Sequence, residues 1–201
     1  MRYSFTPPPE ALNSRVPVVI STEPLVAAMH RTTAIGMILC DKRILLGRAV
    51  SGGSKKSFHT YPGGRVDAGE NHFTALQREF VEETGILEPI SFMVREGEIV
   101  SQDLYVYPLQ KDGKRELIQR RYLMASTAYR GTYPGSNELA NIRAVTLSEL
   151  KEHVQNQYYR HFKSLPHTAV PLGRLNMLQT DAMATYMMLP IFKEMGLENG
   201  K

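Results

Sequence analysis

Three glutamates, Glu79, Glu82 and Glu83, lie three and four residues apart within the stretch Gly64–Ile86, GRVDAGENHFTALQREFVEETGI. A helix advances about 100° per residue, so side chains at those spacings share a face. The three carboxylates therefore converge within roughly 100° of the circumference. Like charges so placed repel one another and destabilise a bare helix, and a cation among them removes that penalty. Hard oxygen ligands with no cysteine or histidine beside them suit Mg2+ or Mn2+. Such ions bridge phosphate oxygens, draw charge from phosphorus and activate water. The chemistry read from the spacing is hydrolysis of a diphosphate.

The same stretch carries its own boundaries. Asn71 is placed to cap the helix, its side-chain oxygen accepting an otherwise orphan N–H, and Gly85 falls where a left-handed residue ends it without steric cost. Phe73, Leu76 and Phe80 form an apolar stripe beside the acidic face that is expected to hold the helix against a core while it presents its carboxylates. Arg78 lies beside Glu82, where it either orients a glutamate and the preceding loop or makes an incidental ion pair. Upstream, Tyr61-Pro62-Gly63-Gly64 reads as a turn whose glycines let the backbone approach a ligand and take positive φ.

Gly64, Glu70, Arg78-Glu79, Glu82-Glu83 and Gly85, with apolar residues at Phe80 and Ile86, resemble the signature of the Nudix hydrolases at every fixed position. At average residue usage a chance match anywhere in the chain is on the order of 10⁻⁷. Phe80, where the family more often has Ile, Leu or Val, is a departure in packing only, and Tyr61–Gly64 resembles the family's Phe-Pro-Gly-Gly entry. The resemblance implies an α/β/α sandwich with a mixed sheet, the box helix lying on one side. It implies an enzyme that uses Mg2+, or Mn2+, to cleave the diphosphate linkage of a nucleoside diphosphate derivative. Glu79, Glu82, Glu83 and the carbonyl of Gly63 are its implied metal ligands. Glu79, Glu82, Glu83, Arg78 and Glu138 are the candidate catalytic residues, and Tyr61, Arg65 and Glu70 the candidates for substrate contact. Glu138, in a segment that resembles the family's closing strand, is either a loop metal ligand or general base, or an exposed loop acid. Glu98, Asp103 and Glu116 are weaker candidates for that role.

The elements that must position these groups are coarser to read. The 201 residues divide into an N-terminal extension (1–31), a catalytic domain (32–165) and a C-terminal helical extension (166–201). Val16–Ser21 is a short strand candidate after Pro7-Pro8-Pro9. Thr33–Cys40 and Arg43–Arg48 suggest a hairpin about Asp41-Lys42, and a Gly/Ser/Lys-rich loop follows at Ser51–Ser57. Ile99–Leu109, Leu117–Ala125 and Asn141–Val145 are further strand candidates. Leu147–Phe162 and about Arg174–Met195 read as helices. Met177, Met183, Met187 and Met188 point the last helix to a core or a dimer contact rather than an adaptable binding surface, which keeps a homodimer in view. Pro190 is expected to kink that helix or end it early.

Composition excludes several classes. No apolar run reaches the roughly 18–20 residues of a membrane span, and no signal pattern opens the chain, so a cytoplasmic protein is expected. Cys40 is the lone cysteine and permits no internal disulfide. The formal charge of +4 is scattered, with local pairs at Lys55-Lys56 and Arg120-Arg121. Nucleic acid is therefore not the expected partner, whereas a small polyphosphate is.

Subgroup markers are absent. The sixteenth residue after Ile86 is Gln102 rather than the proline of ADP-ribose enzymes, and Tyr105 fits the dinucleoside polyphosphate position loosely. Ser101-Gln102 starts like the nicotinamide-dinucleotide motif but continues Asp103-Leu104-Tyr105 in a chain without tryptophan. Two other readings share the fold. A ligand sensor without catalysis usually loses box glutamates, and all are present here. An isomerase of the isopentenyl diphosphate type needs a cysteine acid, a role open to Cys40 only if it faces the pocket.

Overall fold

The computed structural model describes residues 6–7, 9–13, 15, 18–26, 31–50, 59–151, 154, 169–172 and 175–197. Along the chain the strands are β1 (Val18–Ser21), β2 (Arg31–Cys40), β3 (Arg43–Ala49), β4 (His59–Thr60), β5 (Gly63–Arg65), β6 (Ser91–Phe92), β7 (Val94–Arg95), β8 (Glu98–Ile99), β9 (Ser101–Pro108), β10 (Ile118–Ser126), β11 (Leu139–Thr146), β12 (Ala169–Leu172) and β13 (Leu175–Leu178). Helix α1 spans His72–Thr84 and helix α2 spans Gln179–Glu194. Residues 147–151 and 154 are also helical. The remainder of the helix expected over Leu147–Phe162 lies outside the described residues, as do the Ser51–Ser57 loop and Lys55-Lys56.

Period-two alternation in β2 decides the layering. Ile35, Met37 and Leu39 enter one buried cluster, while Ala34, Ile38 and Cys40 enter another on the opposite face. Strand β10 divides likewise, Tyr122 and Met124 to the first cluster and Leu123 and Ala125 to the second. The two strands run parallel, with Ile118 opposite Arg31 and Ser126 opposite Leu39. Around them the sheet runs β1-β9-β10-β2-β3-β4-β13-β12, with β5 beside β2, β6 beside β10 and β11 beside β3. Besides β10–β2, only the β13–β4 contact is parallel among the described pairs. Asp41 and Lys42 turn β2 into β3 with φ of 51° and 61°. Two positive-φ residues in succession match the strand twist of a tight hairpin.

Helix α1 covers the second cluster through Ala75, Leu76 and Phe80. Helix α2 supplies Met183, Tyr186, Met187, Met188 and Phe192 to the first, beside Val145, Leu147, Leu150 and Val154. The expected α/β/α sandwich with a mixed sheet is the observed fold. No helix among the described residues is long and apolar enough to cross a membrane.

Two expectations change. Phe73 is not on the buried stripe of α1; it is 37% exposed and packs edge-on against Phe92, because Ala75 and Glu79 take the inward positions. The region expected to form a C-terminal extension instead joins the sheet and core. Met177 of β13 pairs with His59 of β4, and α2 starts only at Gln179. The β12–β13 hairpin escaped the helical reading of residues 174–178 because the four residues LNML are too few to set a strand period against a helical one. Helix α2 also runs through Pro190 to Glu194.

Replacing Phe192, fully buried, with alanine is expected to cost about 3–5 kcal/mol of unfolding free energy, measured by urea denaturation. A loss below about 1 kcal/mol, as for a surface residue, would contradict the placement of α2 in the core.

Candidate active site

Helix α1 is started and stopped by the residues read from sequence. Asn71 Oδ1 accepts the N–H groups of Phe73 at 2.9 Å and Thr74 at 3.0 Å. Gly85 takes φ 73°, and its N–H closes on Val81 O at 2.9 Å. With both ends set, the apolar residues of α1 fix its rotation about its own axis. Glu79 and Glu83 are then turned inward, 9% and 8% exposed, while the side chain of Glu82 stays 57% exposed.

The turn before the helix is shaped around these acids. The Gly63 N–H donates to Glu83 Oε2 at 2.7 Å. Gly63 has φ +146°, and a Cβ there would strike the carbonyl oxygen of Ala34. A Cβ on Gly64 would overlap the carboxylate of Glu79. Close approach requires glycine at both positions, and at Gly63 the backbone conformation requires it as well.

Arg78 ties the cluster together. Its Nη1 donates to Glu79 Oε1 at 2.9 Å and Glu82 Oε2 at 3.1 Å. Its Nε and Nη2 clasp the two oxygens of Glu70 at 3.1 and 3.0 Å, and Nη2 also reaches the Arg65 carbonyl at 2.9 Å. Glu70 in turn accepts the Asp67 N–H at 3.1 Å. The arginine therefore orients two glutamates and closes the loop onto the helix. Being shared among carboxylates, its guanidinium is held above its ordinary pKa, Glu70 being the main cause.

Charge is out of balance. Burial pushes the Glu83 carboxyl up to about 8; the Gly63 N–H opposes the rise, and Glu79, Glu138 and Glu82 add to it. Burial also raises Glu79, against the pull of Arg78. Glu70 is lowered by its bonds to Arg78 and the Asp67 N–H. Glu138 is exposed on the loop before β11, yet its charge reaches both Glu79 and Glu83. The alternatives to it lie elsewhere in ion pairs or hairpins. Asp103 holds Arg121 at 2.6 Å, Glu116 pairs with Arg31 at 3.4 Å, and Glu98 sits opposite Arg95 in the β7–β8 hairpin.

The three candidates for substrate contact lie at or beside the glycine turn. Tyr61 is 2% exposed in the core, bonded to Thr185 at 2.5 Å, so it is a packing residue and no surface for a base. Glu70 gives both oxygens to Arg78 and so clamps the loop to the helix. Arg65 contributes its backbone carbonyl to the same clamp, leaving an exposed side chain. Cys40 is buried in the α1-side cluster and its thiol donates to the Tyr129 carbonyl at 3.1 Å, a poor position for an acid acting on substrate. Sequence reasoning missed Asp181 and Thr185, which meet the residues just upstream of Gly63. A lone aspartate inside the apolar run of α2 was the available signal.

The donor set fits a hard divalent cation. Glu70, Glu79 and Glu82 share one guanidinium, and burial, with neighbouring carboxylates adding to it, pushes Glu79 and Glu83 towards neutrality. Among the described residues no three acidic, histidine or cysteine side chains already converge into a metal shell. Glu79 and Glu82 are drawn to Arg78, and Glu83 to Gly63.

The NUDIX domain profile matches residues 30–166, most of the chain and all of this site. The chain belongs to the Nudix family. Solved structures similar to this Nudix protein include three of note. The Escherichia coli ORF135 protein is 21% identical, covering 62% of this chain and 77% of its own with a TM-score of 0.44. A Caenorhabditis elegans Ap4A hydrolase is 24% identical, with 60% and 82% covered and a TM-score of 0.45. A protein described as an ADP compounds hydrolase is 15% identical, with 84% and 76% covered and a TM-score of 0.49. No curated protein matches. Helix α2, with Asp181 and Thr185, falls beyond the profile match.

Glu83 gives the Nudix site a testable pH signature. Its folded pKa of about 8 lies above the ordinary value of 4.5, so the folded state holds a proton that the unfolded chain has released. The resulting stability is complete below about pH 4.5 and lost as pH rises to about 8, a change on the order of a few kcal/mol. Metal-free protein is expected to melt progressively lower across that window, and Glu83→Gln to flatten the profile. A wild-type melting temperature that rises from pH 5 to pH 8 would contradict this.

Proposed function

We propose that this Nudix-type pyrophosphohydrolase cleaves the diphosphate linkage of a nucleoside diphosphate derivative (a nucleotide, nucleotide sugar or dinucleotide) with Mg2+, Mn2+ serving as substitute. The observation that carries the reading is the unbalanced carboxylate cluster, in which Arg78 bonds Glu79 and Glu82 while buried Glu83 has the Gly63 N–H and feels the charges of Glu79, Glu138 and Glu82. Glu79, Glu82, Glu83 and the Gly63 carbonyl are the groups that would hold the ion. Bound there, it would supply charge withdrawal from phosphorus and a more acidic water.

The chain's own residues carry the remaining steps. Arg78 holds Glu79 and Glu82 in position through its Nη1. Glu138, or one of the box glutamates, accepts the proton of the attacking water, a task that requires an approach of about 3 Å in the bound complex. Water adds to one phosphorus and the bridging oxygen leaves, giving a nucleoside monophosphate and a phosphorylated remainder. The loop glycines keep backbone rather than side chain against the acids, so a phosphate can come close. Scattered positive charge steers such an anion without a nucleic-acid footprint. A cytoplasmic small-molecule enzyme is the consistent setting.

The test is hydrolysis of a panel of nucleoside di- and triphosphates, nucleotide sugars, ADP-ribose and dinucleotides with Mg2+, products being read by mass. We expect at least one good substrate, whose turnover falls about 10²–10⁴-fold in Glu82→Gln and Glu83→Gln, whereas Glu98→Gln is unaffected. Equal losses in Glu98→Gln, or undiminished turnover in both box variants, would remove the assignment.

A further inference from the structure

The turn that meets Glu83 is held from behind by α2. Thr60 and Tyr61 directly precede Pro62-Gly63, and both side chains end on that helix. Thr60 Oγ1 donates to Asp181 Oδ2 at 2.6 Å, and Tyr61 Oη lies 2.5 Å from Thr185 Oγ1. The Thr185 hydroxyl donates its one proton to the Asp181 carbonyl at 2.7 Å, so Tyr61 is the donor in the bond between them. Asp181 and Thr185 stand four apart and share one face of α2, which lets Thr60 at the end of β4 and the adjoining Tyr61 be gripped at once.

Asp181 is not placed there by chance of packing. It is fully buried, and Oδ1 accepts from Tyr122 Oη at 2.7 Å and from Arg120 Nη2 at 3.1 Å. With Thr60 on Oδ2, both carboxylate oxygens are satisfied from two strands, β4 and β10. A buried acid with such partners fixes geometry more than it adds stability. On its other side the same turn is bound to β2, where the Gly36 N–H donates to the Pro62 carbonyl at 2.8 Å. The path then ends on the Gly63 N–H and Glu83 at 2.7 Å.

We infer that Asp181 and Thr185 are positioning residues for the metal-binding turn: through Thr60 and Tyr61 they set where Gly63 meets Glu83. This rests on the metal-site reading given above and extends it to a helix outside the family's common span. The bonds to α2 act on the ion only through the turn. Their loss therefore weakens metal binding without removing a ligand, as loss of supporting hydrogen bonds does at other metal centres.

The experiment is titration of the full-length protein with Mn2+ alone, followed by the electron paramagnetic resonance of free Mn2+, with thermal melting in parallel. Thr185→Val and Tyr61→Phe remove the two ends of one hydrogen bond while nearly keeping shape. Each is expected to weaken Mn2+ binding about tenfold, and Thr185→Ser to restore it. Phe192→Leu, in the same helix but without a bond to the turn, is expected to lower the melting temperature and leave Mn2+ affinity unchanged. Wild-type affinity in both Thr185→Val and Tyr61→Phe overturns the inference. So does a loss in Phe192→Leu that matches theirs at equal melting temperature, since stability alone would then explain it. If Thr185→Val does not fold, Tyr61→Phe decides on the same criteria. Glu83→Gln reports separately on the reading beneath: undiminished Mn2+ binding there would sink the metal site itself, whatever the α2 variants do.

Discussion

Burying carboxylates beside one another is costly unless positive charge or hydrogen bonds compensate them. In this protein Glu79 and Glu83 are less than a tenth exposed, with Glu82 and Glu138 near enough to raise them further. One arginine and one backbone N–H answer that charge. The rest of the structure can be understood as what makes this arrangement tolerable. The cap at Asn71, the left-handed Gly85 and the apolar residues Leu76 and Phe80 hold α1 so that its acids cannot rotate out to water. The glycine turn keeps backbone where a side chain would collide. Glu83 is thereby an acid that ionises reluctantly in the free protein.

The two faces of the sheet divide the work. The α1 face presents the acids and carries the Arg78 clamp to the preceding loop. The opposite face, closed by α2, is fastened to the turn by Asp181 and Thr185. The central strand β2 serves both, sending alternate residues to each cluster and binding the turn through Gly36 and the β5 pairing. Rigidity at the site thus depends on residues far apart in sequence and on opposite layers.

Legibility in the sequence followed the range of the interaction concerned. The helix and its two caps depend on spacings of a few residues, and the structure has them as read, whereas Glu79 and Glu83 turn inward and Glu82 and Phe73 stay exposed. The β2–β3 hairpin and the strands β9, β10 and β11 shift by only a few residues at their ends for the same reason. What escaped was nonlocal. Tyr61 reads equally well as a stacking surface or as core, and only the approach of Thr185, 124 residues away, decides it. Glu70 reads as a polar loop residue until Arg78 is seen to take both of its oxygens. The β12–β13 hairpin is built from strands of only four residues, too short to show a period, and Asp181 has meaning only beside Arg120 and Tyr122.

If the cluster on α1 is a divalent-cation site, anomalous diffraction from crystals soaked in Mn2+ will place density bounded by the carboxylates of Glu79, Glu82 and Glu83 and facing the Gly63 turn. Density elsewhere, or none at the cluster under saturating Mn2+, would contradict it.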